Sequence, residues 1–240
     1  MVDPVSISEA AEALDLSPSR VRALAAHGQL SAAKLGDRWF VERAAVELRR
    51  RSGGHEGRRF SPRNAWALLL LASGENVKEI DPSVRSRLKR ALGGEGLAKL
   101  APRLARRAEI LSFRAHPGEI AHLLGDSGFV RSGISAAGDH SLGLIPGREA
   151  DGYLPASELK GFVARHVLEP AGIDGNVRLR VVPKEAWRFL EGRQVAPRAA
   201  VALDLAEELD PRSAQSGSKA LRDLDRQWRD RRAPAGAGRA

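Results

Sequence analysis

Residues 5–51 read VSISEAAEALDLSPSRVRALAAHGQLSAAKLGDRWFVERAAVELRRR, and this stretch decides the fold of the N-terminal part of the chain. A first short helix is predicted at residues 9–14, because serines precede a glutamate in the manner of a helix cap. After a two-residue turn, Ser17 can cap a second helix and Pro18 can open it, since the first helical position needs no N–H. This helix is predicted to run to about His27, so the pair forms a helix-turn-helix.

The residues after the second helix predict a small hairpin. Residues 30–35 are predicted as one strand and residues 38–41 as the return strand, because Gly36-Asp37 between them is a two-residue hairpin turn. Residues 42–51 are predicted as a third helix that closes the module. Three helices and a hairpin in this order predict a winged helix-turn-helix.

The second helix is the candidate DNA-reading element. Val21, Leu24 and Ala25 have helical spacing and are predicted to pack inward, which leaves the polar side chains of this helix exposed. Arginine can form paired hydrogen bonds with guanine in the major groove, serine can contact bases or phosphate, and cations in the wing suit phosphate contacts. The candidate DNA-binding residues are Ser17, Ser19, Arg20, Arg22, His27, Lys34, Arg38, Arg58 and Arg59. The alternative is a module used only for protein contacts; in both cases Trp39 is predicted to pack inside the wing.

These features resemble the excisionase-like, MerR-type winged helix-turn-helix family. The matching residues are the Ala10-Ala11 pair, residues 16–21, residues 27–30, residues 36–39 and the helix start at residues 41–46. The resemblance covers about a fifth of the chain, and it implies a DNA-binding module.

The whole chain has 240 residues, which is enough for two compact domains or for one domain and a small module. It contains no cysteine, so disulfides, a thiol nucleophile and a cysteine-based zinc site are excluded. The polar N-terminus predicts no signal peptide, and the strongly apolar run at residues 65–72 is too short to span a bilayer. A soluble cytoplasmic protein without membrane contact is expected.

The formal net charge is +9, and it is distributed unevenly along the chain. Residues 1–59 carry +2, residues 60–114 carry +6 and residues 115–240 carry +1. A basic excess favours a nucleic-acid partner, here double-stranded DNA such as an operator with inverted repeats. Residues 52–60 are predicted as a flexible basic linker, which can be an ordinary linker and can also contact phosphate.

The segment at residues 61–107 is basic and is predicted to contain three short helices, of which the first is apolar nearly all round and should be buried. Ser61 and Pro62 open the first, residues 84–92 form the second and residues 96–107 form the third. Two interpretations are open for this segment. It is either a second DNA-contacting unit, or a spacer that packs on the C-terminal domain and shows its basic face to water.

Residues 108–232 are predicted as a mixed α/β domain, followed by a disordered tail at residues 233–240. At residues 177–182, valine and leucine alternate with Arg178 and Arg180, which predicts a half-buried strand. Further strands are predicted at residues 108–113 and 149–154, and helices at residues 117–124, 134–144, 157–166, 197–209 and 211–231. The predicted fold class of the whole chain is therefore α+β and mostly helical, with the winged helix-turn-helix at residues 1–51.

The C-terminal half carries a second set of recognisable residues. Residues 132–137 read SGISAA and residues 142–144 read LGL; the strand at 149–154, the capped helix from residue 155 and the stretches 201–205 and 210–212 follow in order. This half resembles the AbiEi-type antitoxins, which are DNA-binding antitoxins of type IV toxin–antitoxin operons. Their toxins are nucleotidyltransferases. The resemblance implies that the chain represses its own operon and neutralises a nucleotidyltransferase-like toxin.

The sequence shows no catalytic motif. Ser132, Asp139 and His140 lack the spacing of a nucleophile elbow or an oriented triad, and no phosphate-binding loop occurs. The chain is expected to be no enzyme and to use no cofactor or metal. Two functions stay open beside the antitoxin. One is a stand-alone transcriptional regulator or excisionase-like factor, and the other is an interaction module that binds a protein through its C-terminal half.

Overall fold

The fold is that of a computed structural model, which describes residues 4–14, 16–26, 30–36, 38–52, 59–172 and 175–231. The predicted class, α+β and mostly helical, is confirmed, with one sheet in an N-terminal module and one in a larger unit. The predicted tail at 233–240 and most of the predicted linker lie outside the described residues. No helix within the described ranges is long and apolar enough to cross a membrane.

The N-terminal module has the predicted helices and wing, together with one further strand. Its elements are β1 (Pro4–Ser6), α1 (Ile7–Leu14), α2 (Pro18–Ala26), β2 (Ala32–Leu35), β3 (Arg38–Glu42) and α3 (Arg43–Ser52). The further strand is β1, which pairs antiparallel with β3 and gives the sheet order β1-β3-β2. Three residues are too few to show strand alternation, so the sequence pattern does not reveal β1.

Reciprocal side-chain hydrogen bonds start α1. The Ser6 N–H donates to Glu9 Oε2 at 2.7 Å, and the Glu9 N–H donates to Ser6 Oγ at 3.2 Å. This capping box agrees with the predicted cap, although α1 begins at Ile7, two residues before the predicted start. The hydrogen bonds from Ser6 lower the pKa of the Glu9 carboxyl, because they favour its charged form.

The module has its own hydrophobic core. Val21, Leu24 and Ala25 of α2 are buried, as their spacing predicts. Val21 and Leu24 belong to one cluster with residues of α1, β3 and α3, and the half-buried Trp39 packs against it, in agreement with its predicted place in the wing. This core holds one face of α2, so the opposite face is left to solvent.

The larger unit is a five-stranded sheet with helices on both faces. Its first elements are α4 (Pro62–Ala72), α5 (Pro82–Gly94), α6 (Leu97–Leu100), a 3₁₀ helix (Ala101–Arg107), β4 (Glu109–Arg114), α7 (Ile120–Leu124) and β5 (Val130–Arg131). A second 3₁₀ helix (Gly133–Ala136), β6 (Ala150–Pro155), α8 (Leu159–Arg165), β7 (Glu169–Pro170), β8 (Val177–Val182), α9 (Lys184–Trp187), α10 (Arg198–Ala206) and α11 (Pro211–Asp230) follow.

Several predicted helices of this unit are shorter than expected, and two of them do not form as continuous α-helices. The predicted helix at residues 96–107 is α6 followed by a 3₁₀ helix, since Pro102 has no N–H for an α-helical hydrogen bond. The predicted helix at residues 134–144 is a 3₁₀ helix at its start only. It cannot continue, because Ser141 and Gly143 have φ angles of +55° and +70°, outside the helical region.

The order of the sheet places β8 in its interior. The order is β5-β6-β8-β4-β7, with β6 and β8 parallel and the other neighbours antiparallel. Val177 and Leu179 pack in a cluster with residues of α7 and α8. Arg180 points to the opposite face and is only 1% exposed. The prediction of a half-buried strand is therefore wrong, because α10 covers the face that carries the arginines.

A cluster of buried charges lies between β8 and α10 and explains how Arg180 is accommodated. Its guanidinium donates to both oxygens of Asp151, from Nε to Oδ1 at 2.7 Å and from Nη2 to Oδ2 at 3.0 Å. On α10, Asp204 Oδ1 accepts from Arg107 Nη2 and from the Tyr153 hydroxyl, both at 2.7 Å. Burial opposes ionisation of Asp151, yet the charge and hydrogen bonds of Arg180 hold its pKa below the usual range.

One hydrophobic core spans the predicted boundary at residue 107. It contains residues of α4, α5 and α6 together with residues of α10 and α11. Trp66 of α4 donates its indole N–H to the Arg107 carbonyl at 3.0 Å, and its ring packs edge-on against Tyr153 of β6 with centroids 4.8 Å apart. Residues 61–107 therefore pack on the C-terminal half, as one of the two open interpretations predicts.

Val167 ends α8 in a backbone conformation that suits glycine. Its φ is +48°, and the N–H groups of Val167 and Leu168 donate to the carbonyls of Ala164 and Val163 in the pattern of a left-handed helix end. Val167→Gly is expected to raise the free energy of unfolding by about 0.5–1 kcal/mol, because relief of strain outweighs the entropy that glycine adds to the unfolded chain. The side chain is 78% exposed, so little packing is lost. Urea unfolding measures the change; a clear loss of stability would contradict it.

Candidate nucleic-acid interface

The start of α2 presents four of the predicted DNA-binding residues to solvent. The hydroxyls of Ser17 and Ser19 lie 3.0 Å apart, and the Arg20 N–H donates to Ser17 Oγ at 3.3 Å. Ser17 thus caps the helix as predicted. Arg20 and Arg22 are exposed, whereas Val21 between them is fully buried. The buried residue fixes the helix in the module and leaves both guanidinium groups free to reach a groove.

The wing carries the next two candidates beside its turn. In the antiparallel register Lys34 lies opposite Trp39 and Leu35 lies opposite Arg38, and both cations are exposed. Gly36 in the turn has a φ of +60°, which is the left-handed conformation expected of the predicted hairpin. Two cations at a hairpin tip are suited to contacts with phosphate.

Arg49 of α3 adds a cation that the sequence pattern does not single out. Burial lowers the pKa of Arg49, and the nearby positive charges of Arg59 and Arg20 lower it further. Helix packing thus gathers cations from α2, α3 and residue 59, and a gathered positive field favours an anionic partner. Their proximity depends on how α3 packs, so spacing along the chain could not reveal it. The candidates His27 and Arg58 lie outside the described residues.

The larger unit carries further exposed cations. Those on α11 recur every three or four residues and share one helical face. They are Lys219, Arg222, Arg226 and Arg229. Of the basic residues of α5, three are exposed and Arg85 is half-buried; the exposed ones are Arg87, Lys89 and Arg90. The net charge of the segment understates this basic face of α11, since three aspartates of the same helix offset part of it. One of them, Asp225, accepts the N–H groups that begin α6.

The SGISAA motif lies inside the larger unit and supports the buried charges. Ser132 is fully buried and donates its hydroxyl to Asp204, while Ser135 Oγ accepts the Asp151 N–H at 2.9 Å. A Cβ at Gly133 would lie 2.1 Å from Asp151 Oδ2, so only glycine leaves room for the carboxylate. The motif therefore has a clear structural role beneath the surface.

Asp139 and His140 are each engaged with a different partner. Asp139 pairs with Arg131 at 2.9 Å, and His140 Nε2 lies 2.9 Å from the Ala196 carbonyl oxygen. Neither contact orients the imidazole toward a serine hydroxyl. Among the described side chains, no group of three or more His, Asp or Glu residues is arranged as a metal site.

Comparison with protein-family models gives a match at residues 5–53, to a helix-turn-helix domain. Comparison with curated proteins gives no match, and comparison with solved structures gives none. The matched residues include α1, α2, the wing and α3. These elements carry the cations Arg20, Arg22, Lys34, Arg38 and Arg49. The chain thus carries at its N-terminus a helix-turn-helix domain, the kind of domain that inserts its second helix into the major groove of DNA.

Proposed function

We propose that the chain is a DNA-binding antitoxin that represses its own operon and counters a nucleotidyltransferase-like toxin. The observation that carries the DNA-binding part is the exposure of Arg20 and Arg22 on an α2 whose other face is anchored. The cations of the wing and Arg49 supply phosphate contacts around the reading helix. The resemblance of the C-terminal half to AbiEi-type antitoxins supports the toxin-directed part.

The two-part construction supports a division of labour. A winged helix of about fifty residues is sufficient to occupy an operator half-site. The larger unit has a separate core and its own sheet, so a pure repressor would not need it except for dimerisation. In this proposal the larger unit counters the toxin, no part of the chain is catalytic, and the protein works in the cytoplasm without a cofactor.

A second candidate function is a stand-alone transcriptional regulator or excisionase-like factor. It is favoured by the family match, which lies within the helix-turn-helix module. An excisionase-like factor needs little beyond such a module, whereas most of this chain folds outside it. The neighbouring gene distinguishes the candidates: a nucleotidyltransferase-like reading frame supports the antitoxin, and an integrase supports the excisionase-like factor.

The DNA-binding part is tested by Arg20→Ala combined with Arg22→Ala. We expect operator binding to weaken by about 1–3 kcal/mol, because the variant can no longer form bidentate hydrogen bonds with a base. Fluorescence anisotropy with duplex from the promoter of the chain's own operon measures the change at fixed salt. Arg165→Ala is the control, since Arg165 is exposed on α8 and pairs with Asp126. Equal operator affinity of the double variant and the parent would refute the assignment of α2.

The antitoxin part is tested by co-expression with the neighbouring toxin. The full chain with Arg20→Ala and Arg22→Ala is expected to restore growth while repression of the operon is lost. A chain of residues 59–240 is also expected to restore growth, because it keeps the core that crosses residue 107 intact. Residues 1–58 alone should give no rescue. Rescue by residues 1–58, or failure of the parent chain itself, would contradict the proposed division of labour.

A further inference from the structure

Two arginines from distant parts of the larger unit converge on one backbone carbonyl. Arg63 lies in the first turn of α4 and donates from Nη2 to the Glu79 carbonyl oxygen at 2.5 Å. Arg188 directly follows α9 and donates from Nη2 to the same oxygen at 2.8 Å. The two nitrogens are thus no more than about 5 Å apart, the length of the two bonds laid end to end. Both side chains belong to exposed residues, so the pair is open to solvent.

The charges at this point are unbalanced. Two unit charges about 5 Å apart repel each other even in water, and a neutral carbonyl cannot cancel both. Two acids of the same loop are engaged elsewhere: Glu75 pairs with Arg193, and Asp81 accepts the Ser83 N–H at 2.7 Å to cap α5.

The remaining acid of the loop is Glu79 itself. Among the described residues, its carboxylate forms no ion pair with Arg63 or Arg188, although its carbonyl receives both. The exposed Lys78 precedes it in the chain and adds a third cation to this segment. Arg63, Arg188 and Lys78 together carry three positive charges against the one carboxylate of Glu79, so the segment has a net positive charge.

Both guanidinium groups are held in place before any ligand arrives. Arg188 lies 5.2 Å from the centre of the Phe189 ring, and Phe189 is buried in the core. The backbone of Arg63 lies in the first turn of α4, which Ser61 caps, and its guanidinium is held by the Glu79 carbonyl. Each guanidinium has five N–H donors, and the contacts described above use one of them to bind the Glu79 carbonyl. Other donors therefore remain for an oxyanion. Groups already ordered lose little entropy on binding.

We propose that Arg63 and Arg188 form a phosphate-binding site, with Lys78 at its margin. A phosphate group presents several acceptor oxygens and the negative charge that this pair lacks, and guanidinium groups match its geometry. The site belongs to the larger unit and does not depend on the helix-turn-helix module. The phosphate can come from free anions or from a nucleic-acid backbone, and the two sources require separate measurements.

The free-anion source is tested on the full chain with inorganic phosphate and pyrophosphate. In ¹⁵N-edited NMR spectra we expect both anions to shift the Nε resonances of Arg63 and Arg188 and the amide of Glu79 in a saturable way. Arg63→Gln combined with Arg188→Gln should weaken the binding measured by calorimetry at least tenfold. The control, Arg131→Gln combined with Arg165→Gln, removes the same charge from arginines that have carboxylate partners and should leave the affinity unchanged.

The nucleic-acid source is tested with a non-operator duplex in the same variants. If the site holds a backbone phosphate, Arg63→Gln with Arg188→Gln flattens the slope of log affinity against log salt by about 0.9 for each phosphate that the variant no longer neutralises, and the control variant does not. An unchanged slope together with saturable phosphate shifts assigns the site to free anions. Absence of both effects, with both variants folded by circular dichroism, shows that the arginines only hold the carbonyl and overturns the proposal.

Discussion

Replacing Asp204 with asparagine is expected to lower the free energy of unfolding by about 3–5 kcal/mol, because it removes one charge from a buried ionic cluster and leaves its partners uncompensated. Asp204 is fully buried, and its carboxylate receives Arg107, Tyr153 and Ser132. Its Oδ1 also lies 3.1 Å from Nη1 of Arg180. An asparagine of the same shape keeps an acceptor oxygen for these donors but carries no charge, so Arg107 and Arg180 lose a buried counter-charge.

The loss at Asp204 is measured by urea unfolding monitored through tryptophan fluorescence. We expect a value near the lower end of the range, since Glu207 still accepts Arg107 Nη1 at 3.0 Å. Asp223→Asn is the matched control: Asp223 pairs with exposed Arg226 at 3.8 Å, and loss of such a pair costs at most about 1 kcal/mol. Similar effects of the two substitutions would show that the cluster contributes no more than a surface ion pair.

Gly217→Ala is expected to lower the free energy of unfolding by about 1–3 kcal/mol, because α11 and α10 touch at this glycine. An added Cβ would lie 2.3 Å from the Ala206 nitrogen, 2.6 Å from the Ala202 carbonyl oxygen and 2.7 Å from the Leu205 carbonyl carbon. All three are backbone atoms, so no side chain can rotate away and the helices must separate. Their separation would disturb the core that α10 and α11 share with α4.

Gly161→Ala provides the matched control for this prediction. Gly161 lies inside α8, is exposed, and an added Cβ there meets no atom within 4 Å. Alanine is the better helix former, so this substitution should raise the free energy of unfolding by about 0.5–1 kcal/mol. The same substitution in two helices is thus expected to change the free energy of unfolding in opposite directions. Both changes are measured in one unfolding series. A stabilised Gly217→Ala variant would mean that α10 and α11 are packed less closely than described.

The N-terminal module could be predicted almost completely from the sequence. Its determinants are local. The cap at Ser17, the proline at the next position and the glycine at the hairpin turn each set the backbone conformation of residues close to them in sequence. The inward face of α2 follows from the spacing of Val21 and Leu24. The three-residue β1 could not be predicted, because it exists only through its pairing with β3.

The larger unit shows where local patterns fail. Alternation at residues 177–182 predicts a strand correctly but assigns its arginines to a polar face, because a charged side chain is normally left in water. Arg180 can be buried because it forms ion pairs with Asp151 and Asp204. These two carboxylates lie 29 and 24 positions away from it in the sequence. No pattern within a strand contains information about partners at such separations.

Caps, turns and periodicity act over a few residues, so the helix-turn-helix, its candidate contact residues and the α+β class follow from the sequence. Three features depend on how separate elements pack in space. Residues 61–107 share a core with the C-terminal half, Arg49 lies near Arg20 and Arg59, and Arg63 and Arg188 contact the same carbonyl. The physical reason is the same in each case. Burial and electrostatic interaction depend on distance in space, and that distance is set only when separate elements pack against each other.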